Sequence, residues 1–358
     1  MADYAVSSDN SVKQWATKFF AEYVRDNRFA RYMGTDENKV IVVQEDLTKM
    51  PGEQISVPLI TRLTGAGVTG NTALEGAEEA LNNYAHTISV EIVRNAVLIT
   101  KKEEQTSAFS DFEAARVMLK HWIMEDLRDS VITSLASVGG VVYGSATEAQ
   151  KDAWLDNNTD RFIGGVNTVL STSAPAGGAT YDHSATLAAI AASEKLSADV
   201  VSLAKRVAKT ADAHIKPIKT TEDEEWYVMF ANSLSFRDLK QDSTMLSANR
   251  EAWTRGKSNP LFRDGDLIYD GVIIREIPEI GVTGNVGTSS AQIAPNYLCG
   301  AQAIGVAYAR KTTPIQETRD YGFRKGVGVM EYRGTDKLLF NNKDHGVVTV
   351  MSAAAADA

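Results

Sequence analysis

Three glycines, Gly65, Gly67 and Gly70, spell G-x-G-x-x-G within the stretch LTGAGVTGNTALEG. That spacing can cradle a pyrophosphate at a strand-to-helix turn, with an acidic residue about twenty positions on, here Glu91, placed for a ribose. The flanking residues argue against it. A first dinucleotide-binding strand is buried on both faces and reads as an apolar run. ISVPLITR instead alternates, carries Arg62, and contains Pro58, which a central strand excludes. Gly76 falls where the middle of the following helix would be. A dinucleotide-dependent oxidoreductase stays only as an alternative reading.

Other chemistry is equally thin. In RDGDLIYDG, Asp264 and Asp266 fit the first and third positions of a calcium loop, but Ile268 and Tyr269 occupy the fifth and sixth, where a ligand and a glycine are needed. Asp270 reads as a turn residue. The five histidines, His86, His121, His183, His214 and His345, share no helix at ligand spacing. His183 stands between Asp182 and Ser184, which is adjacency in a loop and not a triad. The single cysteine, Cys299, sits in NYLCGAQAIGVAYA and reads as a small buried hydrophobe. The expectation is therefore no catalytic residue, no cofactor and no metal. The acidic run EGAEE, with Glu75, Glu78 and Glu79, reads as a solvated or partner-facing loop.

The elements around these residues are more telling. Ile55, Val57 and Leu59 alternate with Gln54, Ser56 and Pro58, and Ile88, Val90 and Ile92 alternate with Thr87, Ser89 and Glu91. Both are half-buried strands by their period of two, and the simplest connection is a long antiparallel hairpin. Two strands of ten residues reach roughly 33 Å. A two-stranded hairpin alone is marginal in water, and no third strand of this type is read before the next helix. The hairpin therefore needs a surface, which a neighbouring subunit would supply. A helix over 10–28, with Trp15, Phe19, Phe20, Tyr23 and Val24 at helical spacing, has two equal readings: it packs on the rest of its own chain, or it is an arm that by the same logic packs on another subunit.

A long helix is predicted over 110–137, roughly 40 Å, started by a Ser110–Glu113 capping box and striped by Phe112, Ala115, Leu119, Trp122, Ile123, Leu127, Val131 and Leu135. Residues 139–185 read largely as loops, and 185–211 as a second helical stretch whose later half is capped by Ser197. Beyond them, HIKPIKT and EWYVMFA read as strands, SLSFRDLKQ as a short helix, and DLIYDGVIIREI as a hairpin turning at Asp270-Gly271. GVGVMEYRG and HGVVTVM are late strands, and SAAAADA reads as a frayed end.

In bulk, 358 residues suggest two or three lobes, and 44% hydrophobic with 23% charged residues suffices for a real core. Lys plus Arg is 37 against 46 Asp plus Glu, a net charge of −9, which disfavours wrapping nucleic acid but suits a container that must not grip it. One cysteine excludes an intrachain disulfide. The start of the chain is not read as a signal peptide, and its longest apolar stretch is too short to span a bilayer, so no membrane partner is expected.

The order of these parts, and the wording of AEYVRDNRFARYMGTDENKVIVVQEDLTKMPGEQISVPLITRLTGAGVTG, EGAEEALNNY, KKEEQTSAF, SFRDLKQD, GDLIYDGVIIREI, LCGAQAIGVAYAR and YGFRKGVGVMEYRG, resemble the HK97-like major capsid proteins of tailed bacteriophages, in particular the subfamily of phage N-four. The resemblance runs over most of the chain and is weakest at 139–185 and 281–296. It implies an α+β fold with an N-terminal arm (1–50), an extended β-hairpin loop (51–102), a peripheral domain with a spine helix (103–180 and 311–358) and an axial domain (181–310). It implies hexamers and pentamers of this chain in an icosahedral virion shell, assembled in the bacterial host cytoplasm. Encapsidated double-stranded DNA, bound without sequence specificity, a portal protein, a scaffolding protein and a decoration or cement protein would be the partners.

Carried onto this chain, the resemblance implies intersubunit roles for Gly65, Gly67, Gly70, Leu74, Glu75, Glu78 and Glu79 in the extended loop and for Trp15, Phe19, Phe20 and Tyr23 in the arm, with the glycines as hinges. Some relatives weld this loop to another subunit through a lysine; here no lysine lies between Lys49 and Lys101. Non-covalent overlap or a cement protein would then hold the shell. A cellular nanocompartment shell of the same fold, enclosing a cargo enzyme, is a further alternative.

Overall fold

The computed structural model describes residues 27–45, 52–63, 65–71, 73–76, 78–107, 110–219, 224–253 and 267–357. The arm residues Trp15, Phe19, Phe20 and Tyr23 lie outside them, as do Asp264 and Asp266. In chain order the elements are β1 (Met33–Gly34), β2 (Ile41–Gln44), β3 (Gln54–Ile60), β4 (Asn83–Ser89), β5 (Glu91–Thr100), α1 (Lys101–Thr106), α2 (Asp111–Ala136), α3 (Glu148–Asn157), β6 (Phe162–Gly164), α4 (His183–Ala188) and α5 (Ala198–Thr210). There follow β7 (Ile218–Lys219), β8 (Glu225–Ala231), α6 (Ser233–Gln241), α7 (Ser243–Trp253), β9 (Leu267–Tyr269), β10 (Val272–Glu276), β11 (Ile293–Cys299), β12 (Ile304–Arg319), β13 (Arg324–Lys337), β14 (Leu339–Phe340), β15 (Lys343–Asp344) and β16 (Val347–Ala353).

The chain forms two compact units. The larger, 28–91, 128–309 and 333–358, is built on a mixed sheet in the order β6-β16-β11-β8-β10-β9, with β7 also on β8. β6, β11, β16 and most of β8 are buried on both faces, so they read as apolar runs rather than alternating ones. One face packs Tyr227, Met229, Leu298, Val348 and Val350 under Val200, Val201, Ala204 and Val207 of α5, whose Ser197 cap accepts the Val200 N–H as its sequence predicts. The other face carries Phe162, Ile293 and Met351 against Trp154, Leu155 and Leu187. Asp270 and Gly271 both take positive φ, the two-residue turn expected between β9 and β10.

The smaller unit takes in 92–127 and 310–332 among the described residues. There Leu119 and Ile123 of α2 pack with Val327 and Val329 of β13, flanked by Val93 of β5, Phe112 and Trp122. Phe112, Leu119, Trp122 and Ile123 are members of the predicted stripe, and Glu113 N–H donates to Ser110 Oγ at 3.4 Å.

Several local expectations are corrected. The strand read over 86–93 breaks at Val90, and β5 is a third strand, where the polar pair Arg94-Asn95 hides the alternation. Within the looplike 139–185 lies α3, opened by a Thr147–Gln150 capping box. Asp152 and Asp156, one turn apart on α3, accept backbone N–H groups from Ala176 and His183 and from Thr180 and Tyr181. The glycine-rich loop is thereby tied down. The helix over 185–211 is two helices, α4 and α5, and Ser352 and Ala353 are not frayed but belong to buried β16.

His183 points into the Trp154–Phe162 cluster, not toward a triad; its backbone N–H goes to Asp152, while Ser184 donates to Asp182. Burial first, and then nearby Lys151, push its imidazole down to about 4, against the opposing pull of Asp152 and Asp182. An unfolded imidazole titrates near 6.5, so the neutral ring stabilises the fold fully above that pH and loses its contribution as pH falls toward 4. The loss by pH 4 is on the order of 3 kcal/mol. Thermal melts of wild type should therefore fall more steeply between pH 6.5 and 4 than those of His183→Phe; parallel curves would rule this out.

Candidate assembly surface

The hairpin forms as its alternation requires. β3 and β4 pair antiparallel from Gln54↔Ser89 to Ile60↔Asn83. One face, Ile55, Val57, Leu59 and buried Ile88, rests on Ala307, Leu338 and Phe340 of the same unit. The register puts His86 opposite Val57 on that inward face. There its Nε2 meets Asp336 Oδ2 at 2.9 Å. This contact was missed in the sequence, although a histidine among inward-facing positions signals a buried partner. The other face, with Gln54, Ser56 and Pro58, is exposed.

Beyond the Thr61 N–H to Asn82 carbonyl bond, at 3.0 Å, the chain runs out into a loop. Gly67 and Gly70 take φ of +67° and +72°, and Gly76 takes +86°, with nothing within 4 Å of where a Cβ would stand. These are conformations only glycine adopts cheaply. Gly65 differs: it lacks a positive φ, and its N–H donates to Glu79 Oε2 at 2.6 Å. Glu78 Oε2 takes the Gly76 N–H at 2.7 Å. Glu75 is exposed. No helix follows Gly70 among the described residues before β4, so there is no helix N-terminus to meet a phosphate.

The end of β3 and the loop expose large apolar groups: Ile60 64%, then Leu63 60%, Leu74 59% and Leu81 61%. Four such side chains in one segment are more than a solvated loop needs.

Cys299 is buried with its thiol pushed up by desolvation. His214 Nδ1 lies 2.8 Å from the Ala211 carbonyl. Among the described residues no group of three His, Cys, Asp or Glu could hold a metal ion, and no helix is long and apolar enough to cross a membrane.

Comparison with known proteins points one way. A family model described as phage capsid protein matches residues 3–356. The major capsid protein of Pseudomonas phage KPP25 is 28% identical over 372 aligned positions, covering 95% of this chain and 94% of that one. The capsid asymmetric unit of cyanophage Pam1 superposes with a TM-score of 0.88 at 38% identity, covering 100% of each chain. The capsid of Ralstonia phage GP4 gives 0.74 at 22% identity over 99% of each, a likeness of fold.

Proposed function

The chain belongs to the phage capsid protein family and forms the capsid shell of a phage, and we propose that it does so by laying the loop 61–82 on a neighbouring copy. Its fold is the α+β HK97-like capsid fold. The exposed quartet Ile60, Leu63, Leu74 and Leu81 carries the reading, because burying each such side chain against a partner contributes about 1.5–3 kcal/mol.

In this account residues 1–50 act as an arm, 51–102 as the extended loop, 103–180 with 311–358 as the peripheral domain and 181–310 as the axial domain. Trp15, Phe19, Phe20 and Tyr23 of the arm, and Gly65, Gly67, Gly70, Leu74, Glu75, Glu78 and Glu79 of the loop, meet other subunits. The subunits form hexamers and pentamers that enclose double-stranded DNA, with portal, scaffolding and decoration or cement proteins as partners. The chain is made in the host cytoplasm and has no catalytic role. Electron microscopy of the concentrated protein tests the reading: closed shells of uniform diameter are expected, and dispersed monomers at every concentration would overturn it.

A further inference from the structure

We infer that the hairpin is fixed at its root and moves only beyond Thr61 and Asn82, and that Gly334 is the residue that positions the root. The proposal rests on the assembly reading only for its consequence in shells. The hinge itself is a property of the single chain.

Gly334 lies in β13, in the sequence EYRGTDK. A glycine inside a strand commonly marks a close backbone approach, and here the approach is extreme. A Cβ at 334 would stand 2.0 Å from the Ser89 carbonyl oxygen, 2.9 Å from its carbon and 3.1 Å from Ile88 Cγ2. The φ of Gly334 is not in the left-handed region, so the requirement is space alone. Gly305 also faces Ile88, with Cδ1 at 2.4 Å, and Leu338, with Cδ2 at 3.1 Å, but these are side-chain ends that can yield without moving the β4 backbone. The Ser89 carbonyl belongs to the last residue of β4 and cannot move without moving the strand.

The segment after Gly334 is itself held. Thr335 accepts from Ser134 Oγ through its carbonyl at 3.0 Å. Asp336 takes the Lys337 N–H on Oδ1 at 2.8 Å and faces His86 with Oδ2. Lys337 then ends in a buried pair with Asp344. Ile88, 1% exposed, sits against this frame. The root of the hairpin is thus clamped by the backbone at Gly334, by the Asp336–His86 contact and by the apolar seat on Leu338 and Phe340.

Among the described residues of the outer part, the Gly65–Glu79 and Gly76–Glu78 hydrogen bonds lie within the loop itself. Beside the point where it leaves the root lies an open cavity of about 470 Å³, between Ile60, Arg62 and Tyr84 on one side and Asp212, Asn341 and Lys343 on the other. The loop therefore has room where the root has none. The glycines at 67, 70 and 76 shape the moving part, and the whole hairpin does not swing.

Hydrogen exchange of the unassembled full chain, read by mass spectrometry, tests this without any shell. Peptides covering 54–60 and 83–89 should exchange about 100-fold more slowly than those covering 62–81; equal rates would overturn the hinge. Gly334→Ala should cost the root peptides about tenfold in protection and lower shell yield by a similar factor, while peptides of β11 and β16 keep theirs. Gly305→Ala should change root protection by less than about twofold. Wild-type protection and shell yield in Gly334→Ala would reject the positioning role, as would loss of protection throughout the large unit. If wild-type chain shows the two rates but never closes shells, the assembly reading fails and the hinge stands.

Discussion

Lys337→Met should destabilise the folded subunit by about 3–5 kcal/mol, because it strands a buried carboxylate. Lys337 and Asp344 are 0% and 1% exposed, with Nζ 2.8 Å from Oδ2. Nζ also donates to the Ser137 carbonyl at 2.5 Å, and Trp154 Nε1 lies 3.3 Å from both carboxylate oxygens. The Asp344 N–H donates to Asn158, which tethers the carboxylate's own backbone. Adding Asp344→Asn should recover part of the loss, since the asparagine oxygen still accepts from Trp154 and no lone charge remains. Denaturant midpoints at fixed subunit concentration would show it. If the single variant loses less than about 1 kcal/mol, the typical value of an exposed pair, the buried-pair account is wrong. Because Asp336 and Gly334 precede Lys337 on the same strand, the single variant should also loosen the hairpin root.

Deletion of residues 64–82 should leave folded subunits that make no stable shells. The excised segment carries Leu74 and Leu81 and none of the apolar groups that seat the hairpin on its own unit. Melting temperature should stay near wild type while the yield of closed particles falls by more than about tenfold, the change expected for losing one buried leucine per contact. Intact particles at wild-type yield would remove the loop from the assembly account.

How legible this was in the sequence depends on distance along the chain. The alternation in ISVPLITR, the stripe from Phe112 to Leu135, the Ser197 cap and the Asp270-Gly271 turn are local, and local patterns carry their own structure. The break at Val90 was not legible, because Ile88 and Ile92 keep the same alternation on either side of it. α3 was hidden by the glycine-rich stretches around it, although Thr147 and Gln150 form a readable capping box.

The buried Lys337–Asp344 pair left no trace: nothing in two charges seven residues apart in a strand-rich region signals burial. Only the short β14–β15 turn, with Asn341 and Asn342 at positive φ, folds them together. The contact of His86 with Asp336 spans 250 positions and could be anticipated only from the face His86 occupies. Gly65, Gly67 and Gly70 were read as one group, yet Gly65 is bonded to Glu79 while the other two stand in open space. Their common motif is an accident of spelling, since it is the conformation of each that decides its role.

The central claim is that loop 61–82 bears on a second copy of the chain. Cys299 is the single cysteine and is buried, so Leu74→Cys places one accessible thiol at the exposed loop. A photocrosslinker attached to that introduced thiol should, in assembled shells, join the loop to another subunit, giving dimers on denaturing gels and a linked peptide that can be sequenced. Crosslinks confined to the chain's own residues, or none in intact shells, would contradict the claim.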